Sequence, residues 1–173
     1  MIKDIFKPDI YIKDFSDLDL NFLKTIGIKV IILDVDNTLV PADSNVVDEK
    51  AIRFIKQVKS AKIIPIIVSN NKKSRVSYLS NKLNCEYISF SLKPLNISFK
   101  IVMKKYNVIA SEICIMGDQI LTDILGGNRL NIVTILVNPI SKKDNIYGSV
   151  IRIAEKFVYK FIGLKKGDYY EKL

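Results

Sequence analysis

The sequence has no histidine and no tryptophan, and only two cysteines. Without histidine, the usual acid/base side chain near neutral pH is missing, and so is the commonest zinc ligand. Cys85 and Cys114 both sit in apolar stretches, so a disulfide framework or zinc cluster is not expected and two buried, reduced thiols are. No apolar run is long enough to cross a bilayer. The N-terminus, Met1-Ile2-Lys3-Asp4, lacks the long apolar core of a signal peptide. A cytoplasmic protein is expected, with peripheral contact at the inner face of a membrane left open. Acidic residues are also in the minority, 18 against 27 Lys and Arg, for a net charge of +9. That balance favours anionic partners such as phosphorylated substrates, anionic lipid or nucleic acid, and selects none of them.

What is present describes a globular chain. Its 173 residues are 49% hydrophobic and 26% charged, which fits one domain over 1–173 with its own core. Residues 1–28 read as an N-terminal extension and 140–173 as a basic amphipathic helical segment. Between them, short apolar runs alternate with helical patterns. Lys29 to Leu33, Ile63 to Val68, Tyr87 to Phe90, Glu112 to Met116 and Val133 to Val137 read as strands. Asp48 to Ala61, Lys72 to Leu83, Ile97 to Tyr106 and a stretch near Ile120 to Asn128 read as helices. Fully apolar strands alternating with helices predict a three-layer α/β fold, with a parallel sheet of about five strands covered on both faces. In such sheets ligands bind beyond the carboxyl ends of the strands.

Four strand ends carry polar groups suited to one site: Asp34 and Asp36, then Ser69 and Asn70, then Lys93, then Asp118 with Asp123 five residues on. Close carboxylates repel unless a cation or shared proton intervenes. Hard oxygen donors with no His or Cys nearby suit Mg²⁺. Lys93 supplies a fixed positive charge for a phosphoryl group, and Ser69 and the backbone amides after Asp34 can hydrogen-bond its oxygens. Phosphoryl transfer depends mostly on such positioning and charge stabilisation. A carboxylate can be the nucleophile. Each motif alone is ordinary turn chemistry; all four, in order and each at a strand end, are not.

These residues resemble the four motifs of the haloacid dehalogenase (HAD) superfamily of phosphatases: Asp34-Val35-Asp36-Asn37-Thr38-Leu39, Ser69 in Val68-Ser69-Asn70-Asn71, Lys93 in Leu92-Lys93-Pro94, and Gly117-Asp118-Gln119-Ile120-Leu121-Thr122-Asp123. The resemblance implies Asp34 as nucleophile and Asp36 as general acid/base. It implies Ser69 and Lys93 as phosphate ligands, and Asn37, Thr38 and Asn70 from the same motifs are counted with them. Mg²⁺ would be held by Asp34, the backbone carbonyl of Asp36, and Asp118, with Asp123 in support. The run on to Asn128-Arg129 and the opening Lys7-Pro8-Asp9 resemble the YqeG-type branch of subclass IIIA. That branch is similar to phosphatases that convert phosphatidylglycerophosphate to phosphatidylglycerol.

Spacing bears on the substrate. Neither Leu39 to Val68 nor Asn71 to Leu92 leaves room for an inserted cap domain, so an open site is expected. Such a site suits a phosphate carried on something large, with an anionic phospholipid ahead of a soluble metabolite, nucleotide or phosphoprotein. From Ile146 to Leu164 a broad apolar helix face opposes Arg152, Glu155, Lys156, Tyr159 and Lys160. It is expected to cover the sheet, with a membrane interface as the alternative. A non-catalytic RNA-binding module is the remaining alternative, and the surplus carboxylates argue against it.

Overall fold

The protein is described from a computed structural model covering residues 2–141, 143, 146–165 and 167–171. Among these described residues there are seven strands: β1 (Ile10–Ile12), β2 (Val30–Leu33), β3 (Ile64–Val68), β4 (Glu86–Ile88), β5 (Ile113–Gly117), β6 (Val133–Val137) and β7 (Tyr170–Glu171). Six helices alternate with them: α1 (Leu20–Thr25), α2 (Glu49–Ser60), α3 (Lys73–Leu83), α4 (Ile97–Tyr106), α5 (Leu125–Asn128) and α6 (Ile146–Ile162). A π-helical turn, Ile120–Ile124, leads into α5. Local chemistry sets several boundaries. The Asp48 carboxylate accepts from Ala51 N at 2.7 Å and caps α2. Asn84 and Asn107 end α3 and α4 in the left-handed conformation, at φ 52° and 51°, where asparagine is tolerated better than most residues.

The sheet order is β4-β3-β2-β5-β6-β1-β7. The five expected strands are its β2 to β6, all parallel. The sheet is nonetheless larger than expected. Ile10 to Ile12, read from the sequence as part of an extension, pairs parallel with Ile135 to Val137. The β7 strand then closes that edge antiparallel to β1. Three residues between Asp9 and Lys13 are too few for a strand pattern to show. Contacts of the residues just before it hold β1 in place. The Asp9 carboxylate accepts from Thr134 N at 2.8 Å and from its hydroxyl at 3.0 Å. Asn128 Nδ2 donates to the carbonyls of Ile5 at 2.8 Å and Lys7 at 2.9 Å.

Alternation along β2, β3 and β5 divides the core. Ile31, Leu33, Ile67, Cys114 and Met116 face α1, α2 and α3, where Leu23, Phe54, Ile55, Val58 and Leu79 join them in one large cluster. Val30, Ile32, Ile66, Val68 and Ile115 face α4 through Phe99 and Val102. A smaller cluster joins Tyr11 and Leu136 to Ile120, Ile124 and Ile162 of α6.

The broad apolar face expected on the last helix is split. Ile162, with Val158 and Tyr159, packs on the sheet, whereas Val150, Ile153, Phe157 and Phe161 are exposed. No helix among the described residues is long and apolar enough to cross a membrane. Between Leu39 and Val68 the named elements are α2 and β3, and between Asn71 and Leu92 they are α3 and β4, so the fold carries no cap.

Candidate active site

From β2 the chain passes outward to β3 and β4, and then returns to the other side of β2 as β5 and β6. Such a reversal opens a crevice at the carboxyl ends of the strands on either side of it. Here β2 lies between β3 and β5, so Asp34, Ser69 and Asp118, each the residue following one of these strands, are brought together. A pocket of about 640 Å³ lies there, lined in part by Asp34, Asp36, Ser69, Asn70, Lys93 and Gln119.

Lys93 enters from the loop between β4 and α4. Asn70 fixes that loop: its Oδ1 accepts from Ser91 Oγ and Lys93 N, both at 2.7 Å, and its Nδ2 donates to the Lys93 carbonyl at 3.0 Å. The Lys93 ammonium is thereby seated 2.7 Å from Asp34 Oδ1 and 2.7 Å from Asp123 Oδ1. Asp123 comes from the π-helical turn, where its other oxygen accepts from Thr122 Oγ1 at 3.1 Å and Gln119 N at 3.3 Å. Gly117 makes room for this arrangement, because a β-carbon there would lie 2.2 Å from Asp123 Cγ.

One ammonium serves two buried carboxylates, and the electrostatics follow. Burial pulls the Lys93 pKa down, but Asp123 and Asp34 together outweigh it and hold the group charged. Burial pushes the Asp34 carboxyl well above its usual range; Lys93 opposes this, while Asp123, Asp118 and Asp36 add to it. The cluster is thus short of positive charge around Asp34.

Asp36, two residues on, is surrounded by donors. Arg75 Nε lies 2.7 Å from its Oδ1, and Asn71 Nδ2 and Ser69 Oγ lie 3.1 and 3.3 Å from its Oδ2. Asp118 accepts from Thr38 Oγ1 at 3.3 Å and is ion-paired with Arg152 of α6, which also donates to the Asp118 carbonyl at 2.8 Å. Glu155, one turn along α6, accepts from Leu121 N at 3.1 Å. Burial raises its carboxyl to about 7, with Arg152 pulling the other way.

Asn37 and Thr38 do not occupy the place expected of phosphate ligands. Asn37 is a turn residue at φ 58°. Its side chain accepts from Ala42 N and donates to the Lys143 carbonyl, each at 3.0 Å. Thr38 is buried against Asp118. Both side chains shape the turn after Asp34 and do not line the pocket. Asn70 does line it, but its amide is engaged in aiming Lys93. Arg75 and Arg152 were not legible as site residues. Arg75 looks like any base in a lysine-rich first turn, four residues past Asn71. Arg152 falls on the polar side of its helix, three residues before Glu155, and nothing local marks it.

Among the described residues no three acidic, His or Cys side chains cluster as a metal site. A Mg²⁺ site does not require that, since the ion keeps several waters and commonly takes one or two carboxylates. The carboxylates of Asp34 and Asp118 stand at the ends of the neighbouring strands β2 and β5. Both offer hard oxygens, and the excess negative charge around Asp34 suits a cation. The residues therefore fit the ion.

Known proteins resemble this chain over most of its length. Residues 2–141 match the family model described as mitochondrial PGP phosphatase. The probable phosphatase YqeG of Bacillus subtilis is 34% identical over 156 residues, which cover 90% of this chain and 91% of that protein. Phosphatidylglycerophosphate phosphatase 1 of Arabidopsis thaliana, chloroplastic/mitochondrial, is 26% identical over 94% of this chain, which spans 50% of the plant protein. Among solved structures, the cobalt-bound deoxy-D-mannose-octulosonate 8-phosphate phosphatase YrbI of Haemophilus influenzae shares the fold. Its TM-score is 0.54 at 16% identity, over 81% of this chain and 92% of that one. The chain belongs to the PGP phosphatase family, and its similarity to YqeG extends over nine-tenths of both chains.

Proposed function

We propose that the protein is a Mg²⁺-dependent phosphomonoesterase that works through an aspartyl phosphate on Asp34 and converts phosphatidylglycerophosphate to phosphatidylglycerol at a membrane surface. The observation that carries the reading is the buried Lys93 ammonium 2.7 Å from Asp34, at the pocket that Asp36 also lines.

A phosphate monoester entering the pocket places its oxygens on Lys93 Nζ, Ser69 Oγ and the backbone amides after Asp34. An Asp34 oxygen attacks phosphorus as the bond to the leaving oxygen breaks, and Asp36 delivers a proton to that oxygen. Asp36 then takes a proton from water, whose oxygen attacks the same phosphorus; the bond to Asp34 breaks and inorganic phosphate leaves. Arg75 Nε holds Asp36 Oδ1 at 2.7 Å, so the acid role requires this carboxyl to turn away from Arg75 when substrate arrives. Asp34, Asp118 and the Asp36 carbonyl would hold Mg²⁺, which would neutralise phosphoryl charge. Asp123 keeps Lys93 in place.

Three features support the lipid. The family and the plant relative are named for this substrate. The fold has no cap, so the pocket can receive a headgroup that stays in its bilayer. The chain carries a net charge of +9, which suits an anionic surface. The test is phosphate release from phosphatidylglycerophosphate in mixed micelles with Mg²⁺, comparing wild type with Asp34→Asn. Release that Asp34→Asn abolishes is expected. Release from soluble monoesters but not from this lipid would retain the phosphatase and remove the lipid.

A further inference from the structure

The floor of the pocket is charged, but its mouth is apolar. Phe90, Leu92 and Leu95 line it. Phe90 is 59% and Leu92 60% exposed, and Leu95 and Ile97 are exposed as well. Large apolar side chains grouped on a surface beside a site mark something that seats there. The backbone supports that reading. Phe90 and Leu92 adopt φ 49° and 56°, a left-handed conformation that bulky residues take only at a cost. Between and after them, Ser91 and Lys93 are buried and held by Asn70. The clamp that aims Lys93 at Asp34 therefore also turns Phe90 and Leu92 outward.

Charge indicates the occupant. From Lys72 to Tyr106 the only acidic residue is Glu86, and it is paired with Lys105. Lys72 stands at the mouth, and Lys73, Lys100 and Lys104 are exposed nearby in sequence. Gly148, at the start of α6, also lines the pocket, and Val150, Ile153, Lys156 and Phe157 of that helix are exposed. Exposed apolar tips in a stretch rich in exposed lysine and nearly free of acid match an anionic bilayer, whose acyl boundary takes the tips and whose headgroups take the lysines.

We propose that the Phe90 to Ile97 segment docks the protein on an anionic bilayer, seating Phe90, Leu92 and Leu95 at the headgroup boundary so that the pocket opens onto lipid phosphates. This rests on the lipid-substrate reading above and adds the surface through which the lipid is reached.

The chain has no tryptophan, so a single introduced one reports its own surroundings. Leu92→Trp is placed in the rim, and Ile109→Trp before β5, at the opposite ends of the strands. Each is titrated with vesicles of equimolar phosphatidylglycerol and phosphatidylcholine, with and without brominated acyl chains. Emission from Leu92→Trp is expected to shift to the blue and be quenched by bromine, and Ile109→Trp to do neither. In flotation with the same vesicles, the double variant Phe90→Ser/Leu92→Ser should bind roughly tenfold or more weakly than wild type, with an unchanged melting temperature. Equal shifts at both positions, no shift at Leu92→Trp, or unchanged flotation of the double variant would overturn the proposal. So would a shift that needs no lipid and follows protein concentration, which marks a self-contact. Micellar lipid hydrolysis by wild type without rim insertion removes the docking edge alone. Insertion without hydrolysis removes the lipid substrate alone.

Discussion

The two faces of the sheet are built from the same residue types and put to different uses. On the face covered by α1, α2 and α3, one large cluster buries nearly every apolar side chain those helices offer, and Tyr78 is their exposed large apolar residue. On the face covered by α4 and α6 the apolar clusters are smaller. That face takes in a buried Lys93, Asp123 and Glu155, and leaves Ile97, Ile101, Val150, Ile153, Phe157 and Phe161 in contact with water. One face stores stability. The other spends part of its packing on holding charges in place and on presenting apolar side chains outward.

The contrast can be broken most directly with two phenylalanines. Phe54 is 2% exposed and stacks edge-on against Phe15 with ring centres 5.2 Å apart. Phe54→Ala is expected to cost roughly 3–5 kcal/mol in urea unfolding. Phe157 is 73% exposed, and Phe157→Ala is expected to stay within about 0.5 kcal/mol of wild type. Equal costs would erase the distinction between the faces.

Lys93→Met tests the charged side. It removes the one cation shared by Asp34 and Asp123, and kcat for a small monoester should fall roughly 10²–10³-fold. An unchanged kcat would place phosphate binding elsewhere.

A smaller effect is expected for Arg152→Met. It frees Asp118 from its ion pair with α6, and Mg²⁺ affinity or activity should drop roughly 10–100-fold, read from the Mg²⁺ dependence of turnover. If neither moves, α6 contributes packing alone.

Glu155→Gln should have the mildest consequence, visible as pH dependence. The folded Glu155 titrates at about 7 against an ordinary 4.5, so the folded chain keeps a proton that the unfolded chain loses. The associated stability is complete below about pH 4.5, and declines as pH rises to about 7. Glu155→Gln is expected to flatten that part of the melting-temperature profile. An identical slope in both proteins would assign it to another group.

How much of this could be read from the sequence depends on the range over which each feature is encoded. Strands β2, β3, β5 and β6 were legible because apolar, mostly β-branched runs ending in acid, serine, glycine or asparagine are local signals. So were Asp34, Asp36, Ser69, Lys93, Asp118 and Asp123 as a set, since each follows a strand or turn. Strand β1 was not legible, because three residues carry no period and its partners lie across the chain at Thr134 and Asn128. The split of α6 could not be seen either. Helical angle puts Val150 and Ile162 on the same apolar side, and the cluster beneath decides which of them meets the sheet. Arg75 and Arg152 look like surface bases in a lysine-rich chain, and they become site residues through contacts 39 and 34 residues away in sequence. Asn70 was legible as part of a phosphate motif, but its task of aiming Lys93 depends on loop partners 21 and 23 residues later.

The central claim is that Asp34 itself is phosphorylated. The direct measurement is to mix the protein with Mg²⁺ and excess phosphomonoester, quench during turnover, reduce with borohydride and sequence the products by mass spectrometry. An aspartyl phosphate on Asp34 predicts homoserine at position 34 and unmodified Asp at 36, 118 and 123. Turnover with no reduced residue, or with homoserine at any other of these positions, would contradict it.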